Sequence, residues 1–273
     1  MARAMVAYSD SMGSSSNPWL RIVRAINHRE LKTRYTGDAV GYAWSLVLPL
    51  TWIVMIWLLF AVLGRPIPID TDPGTFIFTG VVPYASFRYT LTAVMRAKLT
   101  YTKLFVIPRV NPEIVSFSVA LLEIVNAFVL YGFVMLGNWM LFGHLELQDP
   151  MLVARGLILA SLLGSCFAYF VVGIISNVRF AMRAMQVVVR PIFYLSGVFF
   201  IASELPSSIQ QWVWFNPVLH TVEIVRTGAV GDYGSRHNET WLPLAFCLAF
   251  LVAGYLASRM GGIFEGSDEE FEV

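Results

Sequence analysis

The chain is short of charge. Of its 273 residues, 14% are Asp, Glu, Lys or Arg, against about 25% in a typical soluble domain. The net charge is only +1, so there is no electrostatic footprint for nucleic acid. There are two cysteines, Cys166 and Cys247, and both lie in apolar runs. They read as small core residues, with neither a disulfide framework nor a metal site. The four histidines are scattered without ligand-like spacing. Glycine is never followed by lysine, so a P-loop is excluded and the chain carries no ATPase motif of its own. No G-x-S-x-G, H-E-x-x-H or C-x-x-C occurs either, and no enzyme signature emerges. The opening stretch MARAMVAYSDSMGSSSNP lacks a continuous apolar segment and a cleavage site, so it does not read as a secretory signal. Residues 1–16 are expected to be a disordered extension.

What the chain has in excess is apolar surface. Hydrophobic residues make up 57%, and the mean hydropathy is +0.65. A spanning helix needs about 20 mostly apolar residues. Six stretches qualify: Ala43 to Leu63, Thr75 to Val94, Glu113 to Leu141, Met151 to Ser176, Ala184 to Ser203 and Trp241 to Gly261. The expected fold is therefore an all-α integral membrane protein, with a six-span domain over 38–262 and an acidic tail over 263–273. Placing both termini in the cytoplasm puts fourteen of the nineteen basic residues there, Arg179, Arg183 and Arg190 among them. Four fall on the other side, and Arg88 lies within the second span. That asymmetry follows the positive-inside rule. No internal repeat is evident, which speaks against an inverted-repeat secondary transporter.

Several segments stand out against this background. Residues 17–37 place Trp19, Leu20, Val23, Ile26 and Leu31 near helical spacing among basic residues, a pattern suited to a helix lying in the cytoplasmic interface. Met95 to Glu113 is basic and aromatic, and Pro108 and Pro112 stop any helix. By itself it reads as a basic loop. The second span is broken by Gly80 and Pro83 and made polar by Arg88. Arg88 and Glu123 are charges at bilayer depth, where each needs a partner or water. They could pair as a structural lock or line a polar path. Trp44, Trp52, Trp57, Phe193, Tyr194, Phe199 and Phe200 cluster in the first and fifth spans, where sugar rings could stack on them. Interfacial anchoring is the plainer reading of any one of them.

FNPVLHTVEIVRTG, residues 215–228, is too polar to cross a bilayer and too apolar for a wet loop. His220, Glu223 and Arg226 recur every three residues, roughly on one side of a helix. Pro206 and Asn216-Pro217 divide Glu204 to Val230 into two short helices, too short for two crossings. His220, Glu223 and Arg226 are expected to satisfy one another or neighbouring backbone, a structural network in preference to direct sugar contact, and either in preference to catalysis.

Taken together, these stretches resemble ABC-2 type exporter permeases, and the capsular polysaccharide branch in particular. RELKTRYTGDAVGYAWSLVLP is similar to the start of those permeases through Arg29, Glu30, Thr33, Arg34, Gly41, Tyr42, Trp44 and Pro49. FTGVVPYASF resembles their second span. RPIFYLSGVFFIASELP followed by WFNPVLHTVEIVRTG is the most specific likeness, through Pro191, Ser196, Pro206, Asn216, Pro217, His220, Glu223 and Arg226. The likeness covers about Arg21 to Gly261.

This resemblance implies a bacterial inner-membrane homodimer working with two copies of a separate nucleotide-binding ATPase, in which ATP and Mg would be bound. No cofactor is expected on this chain. A helix bearing Trp19, Arg29, Glu30 and Arg34 would border the way in for substrate. A loop with Arg96, Lys98, Lys103 and Arg109 would dock on the ATPase. Re-entrant helices with Asn216, His220, Glu223 and Arg226 would close the periplasmic exit. Trp44, Trp52, Arg88, Phe193, Tyr194 and Phe199 are the candidates for the substrate path. The cargo would be a lipid-linked polysaccharide, passed on through a periplasmic co-polymerase and an outer-membrane export protein. O-antigen or teichoic-acid polymers are the alternative cargo. A proton-coupled transporter using Glu123 and Arg88 is the alternative of a different class. Arg88 stands where the resembled permeases carry a small or neutral residue, a departure that would reflect the charge of the substrate.

Overall fold

A computed structural model describes residues 18–34, 39–64, 66–101, 110–143, 145–175, 178–231, 233, 235 and 239–259. Among them the chain is helical: α1 (Pro18–Arg34), α2 (Ala39–Leu63), α3 (Pro73–Thr100), α4 (Pro112–Phe142), α5 (Pro150–Ile174), α6 (Val178–Leu195), α7 (Ser207–Trp214), α8 (Pro217–Val230) and α9 (Trp241–Arg259). A 3₁₀ turn, Ala202–Glu204, precedes α7. The acidic tail and the N-terminal extension lie outside the described residues, as do Lys103 and Arg109 and the side chains of Arg34 and Trp44.

Five of these helices begin on an Asp-Pro or Asn-Pro pair in the sequence, and in four the capping residue is described: Asp72-Pro73, Asn111-Pro112, Asp149-Pro150 and Asn216-Pro217. The chemistry is local. Proline at the first helical position has no N–H to leave orphaned, and the preceding side-chain oxygen can accept from the free amides of the first turn. Asp149 accepts from the amides of Met151 and Leu152 at 2.9 and 3.1 Å. Asn216 accepts from Val218 at 3.1 Å. Asn111 makes no such bond. Asp72 does the most: it accepts from the Thr75 amide at 2.8 Å and the Thr75 hydroxyl at 2.5 Å. The Asn138 amide of α4 also donates to it, at 3.3 Å. That cap therefore sets both the start of α3 and its register against α4.

α4, α5 and α9 are long and apolar enough to cross a membrane. The protein is thus an all-α, multi-pass membrane protein. α5 packs against α3, α4, α8 and α9. Between helices in lipid the hydrophobic effect supplies little drive, so close backbone approach matters. At Gly164 a Cβ would run into the Phe87 carbonyl of α3, and glycine is what lets the two backbones touch. α1 lies along α4, burying Val23 and Ile26 and setting Trp19 against Phe117 with ring centroids 5.1 Å apart.

Two expected boundaries need correcting. Met95 to Thr100, expected to open a loop, instead continue α3 as helix, so Arg96 and Lys98 are helical. The fifth apolar stretch was expected to run as a helix from Ala184 to Ser203. The helix runs from Val178 to Leu195 instead, one residue short of Ser196-Gly197. Gly197 has φ +72°, a left-handed conformation that turns the chain out of the helix. The start lies earlier because Val178 and Ala181 are buried and give the first turn an anchored face.

Candidate functional site

Three polar constellations sit on this frame. The first is a cavity of about 630 Å³ between α2, α3 and α6. Trp52, Tyr84, Arg88, Arg190, Phe193 and Tyr194 line it. Phe193 is the hub of its aromatic wall. Its ring lies 4.8 Å from Tyr84, 5.1 Å from Phe199, 5.5 Å from Tyr194 and 6.3 Å from Trp52. Tyr194 and Phe199 stack with centroids 5.9 Å apart and an interplanar angle of 18°. The Tyr84 hydroxyl donates to the Val189 carbonyl at 2.8 Å, pinning α6 to α3 across the cavity floor. Trp52, Phe193, Tyr194 and Phe199 are therefore brought together, with Arg88 in the same cavity.

Arg88 does not pair with Glu123 among the described residues. It turns into the cavity, whereas Glu123 is buried on α4 and accepts from the Asn126 amide at 3.3 Å.

The second constellation joins α8 to the chain segment after α6. Arg226 and Glu223 are both fully buried, with Nη1 and Oε1 3.8 Å apart. Such a pair is tolerated only when its remaining hydrogen-bonding capacity is also met. Arg226 donates to the carbonyls of Gly197 at 2.9 Å, Phe76 at 3.4 Å and Phe200 at 3.5 Å. Its guanidinium also lies 4.4 Å from the centre of the Phe76 ring. Glu223 accepts from the hydroxyls of Tyr233 and Ser235, the latter at 2.6 Å, and from the Ala202 amide at 3.5 Å. Burial, reinforced by the Glu223 carboxylate, pushes the Tyr233 hydroxyl pKa up, so Tyr233 stays a proton donor.

His220 belongs to a different contact. Its Nε2 lies 2.9 Å from the Trp214 carbonyl, where it holds the end of α7 against α8. The side-chain amide of Asn216 donates to the Leu195 carbonyl at 3.0 Å and to the Ser196 hydroxyl at 3.2 Å, tying the end of α6 to the start of α8.

The third links α1 to the end of α3. The buried Glu30 carboxylate accepts from the Tyr101 hydroxyl at 2.6 Å, and the Arg29 guanidinium lies 5.0 Å from the Tyr101 ring centre. Arg96 and Lys98 occupy the last turns of α3, just before the undescribed segment 102–109.

Sequence reasoning did not single out Tyr84, Arg190, Tyr233 or Ser235. For Arg190 a signal was present, in the spacing of basic residues along 178–195. For Tyr233 and Ser235 there was none, since they reach Glu223 through an irregular segment. Among the described residues no group of three or more His, Cys, Asp or Glu is placed to hold a metal ion.

Residues 21–229 match the family described as ABC-2 type transporter. The chain is 23% identical over 240 residues to the polysialic acid transport protein KpsM of Escherichia coli, covering 87% of this chain and 92% of that protein. It is 26% identical over 238 residues to the capsule polysaccharide export inner-membrane protein CtrC of Neisseria meningitidis serogroup A, covering 86% and 88%. Identity to the serogroup B CtrC is 25% over 248 residues, with the same coverage of 86% and 88%.

Proposed function

We infer the role of this chain from one premise: it belongs to the ABC-2 type transporter family. It is a multi-pass inner-membrane permease, and an ABC system drives such a permease through a separate nucleotide-binding partner. We propose that its cargo is a lipid-linked capsular polysaccharide moving from cytoplasm to periplasm. The observation that carries this reading is the aromatic-walled cavity between α2, α3 and α6. Sugar rings present C–H faces to aromatic rings, and a wall of such faces suits a chain that slides rather than locks. Relatives named for capsule or polysialic acid transport, matched over most of their length, support the same cargo.

In this reading α2, α3 and α6 also span the bilayer, which gives six crossings with both termini in the cytoplasm. α3 is kept polar by its threonines and Arg88, and α6 by its arginines, so both face protein, water or cargo rather than lipid. α7 and α8 dip into the outer leaflet and return, and the separate contacts of Asn216, of His220 and of the Glu223–Arg226 pair together hold that outer end closed at rest. α1 lies in the cytoplasmic interface, and Trp19, Arg29, Glu30 and Arg34 border the way in. Arg96, Lys98, Lys103 and Arg109 contact the ATPase. Two copies of the chain assemble with two ATPase subunits. A periplasmic co-polymerase and an outer-membrane export protein continue the route.

The test is gentle purification from native membranes, with identification of co-eluting proteins and an ATPase assay. A co-purifying P-loop subunit is expected, and deletion of the permease is expected to remove surface glycan while polymer accumulates inside the cell. A chain that purifies alone, without nucleotide dependence and without a surface-glycan phenotype, would overturn the reading.

A further inference from the structure

α5 and α9 lie side by side and run in the same direction, since rising positions on one meet rising positions on the other. Phe250 of α9 sits against Phe167 and Phe170 of α5, with ring centroids 4.9 and 5.4 Å apart. Further along, the two backbones touch. A Cβ on Gly173 would lie 2.6 Å from the Gly254 carbonyl oxygen, and one on Gly254 would lie 2.9 Å from the Phe170 Cα.

A cysteine precedes each of these glycines by the same interval: Cys166 before Gly173, and Cys247 before Gly254. That interval is about two helical turns, which returns to nearly the same face about 10.5 Å along the axis. The register that joins the glycines therefore brings the cysteines level with each other. Both are buried free thiols, and their side chains interact. A disulfide needs Cα atoms about 4.4–6.8 Å apart, and the glycine contact two turns away draws the helices together as that range requires. The chain has two cysteines in all, far apart in sequence, and the fold sets both at one point. Neither the cavity nor the Glu223–Arg226 network uses them.

We propose that Cys166 and Cys247 are an oxidative modification site, at which a small neutral oxidant of the hypochlorous acid class joins them in a disulfide that ties α9 to α5. The first sulfur attacks the chlorine, and the departing hydroxide takes the thiol proton away as water, leaving a sulfenyl chloride. The second sulfur then attacks the first, the S–S bond forms, and chloride leaves with the second thiol proton as HCl. Two thiol sulfurs are oxidised to the disulfide, and the chlorine is reduced to chloride. An uncharged reagent suits the place, because a charged one enters apolar surroundings only at high cost. α8 packs against both α5 and α9, and it carries the Glu223–Arg226 pair. Tying its two supports together holds the outer end in its resting arrangement. That consequence rests on the exporter reading, whereas the cross-link itself does not.

The experiment treats the intact permease–ATPase complex in nanodiscs with a graded series of hypochlorous acid. Thiols of this chain are then counted after denaturation, its peptides are mapped by mass spectrometry, and ATPase activity is followed in parallel. Both thiols are expected to disappear together, and the peptides holding Cys166 and Cys247 to appear joined, lighter by two hydrogens. Hydrolysis is expected to fall in step and to return on reduction with a phosphine. Cys166→Ser and Cys247→Ser should each leave untreated hydrolysis unchanged and abolish the reversible loss, which also separates the effect from any cysteine of the ATPase. Cys166→Ala keeps the test alive if a serine variant misfolds. Separate oxidation of the two sulfurs to sulfinic or sulfonic acid, a cross-link between two copies of the chain, or thiols that survive while methionines are oxidised would overturn the site. A disulfide that forms while hydrolysis and export stay unchanged would overturn its effect on the outer end. A chain with no ATPase partner would instead sink the exporter reading, and the cross-link would still be read on the chain alone.

Discussion

At the scale of single residues, the outer network behaves as one unit. Removing Glu223 leaves a buried guanidinium without its counter-charge, and breaking a buried pair from one side typically costs about 3–5 kcal/mol. Glu223→Ala is therefore expected to lower the thermal unfolding midpoint in detergent sharply, and to raise basal ATPase activity in the assembled complex. Replacing both members by apolar residues of similar volume, Glu223→Leu with Arg226→Met, should recover most of the stability but not the resting closure. If Glu223→Ala unfolds at the wild-type temperature and hydrolyses at the wild-type rate, the pair is not holding the outer end. The sequence placed His220, Glu223 and Arg226 together because a spacing of three keeps neighbours close on a helix. It could not show that His220 turns to the Trp214 carbonyl, because that depends on where α7 ends in space. Arg88 was legible as a buried charge needing a partner. Its direction, away from Glu123 and into the cavity, depends on how α3 is rotated, which no local pattern encodes.

At the scale of elements, the caps differ in reach. The Asp149 side chain serves only its own helix, whereas that of Asp72 is buried and also receives the Asn138 amide from α4. Asp149→Ala should cost about 1 kcal/mol, the ordinary value of a cap. Asp72→Ala should cost roughly 1–3 kcal/mol more, because a buried amide is left unsatisfied. Thermal unfolding compares the two, and hydrogen exchange at the first turn of α3 locates the loss. Equal effects would mean that the bridge to α4 contributes nothing. Helix positions were read well wherever long apolar runs dominate, as in α4, α5 and α9. The Asp-Pro and Asn-Pro starts were present in the sequence, but proline in this chain was read as a breaker rather than as an opener. The end of α6 was misjudged because the apolar run continues past Gly197, and hydropathy does not register a left-handed turn.

At the scale of the molecule, the reading requires a path from the ATPase to the cavity. Reversing two charges among Arg96, Lys98, Lys103 and Arg109 to glutamate is expected to abolish export while the complex still folds and hydrolyses ATP. Export at the wild-type level, measured as surface polymer, would place the contact elsewhere. The consequence for how motion travels lies in the seam at Gly164. α3 ends at the segment proposed to dock on the ATPase, is joined to α1 through the Glu30–Tyr101 bond, and meets α5 backbone to backbone at Gly164. At that glycine the two backbones touch, and beside it the Phe87 and Phe167 rings stack, so on the exporter reading a push at the inner end of α3 would pass to α5 with little give. α6, pinned across the cavity at Tyr84 and Val189, is the jaw that push works against. On that reading the permease would operate as a lever with a short stroke, and its stiffness at one glycine would set how little displacement the ATPase must deliver to part the walls.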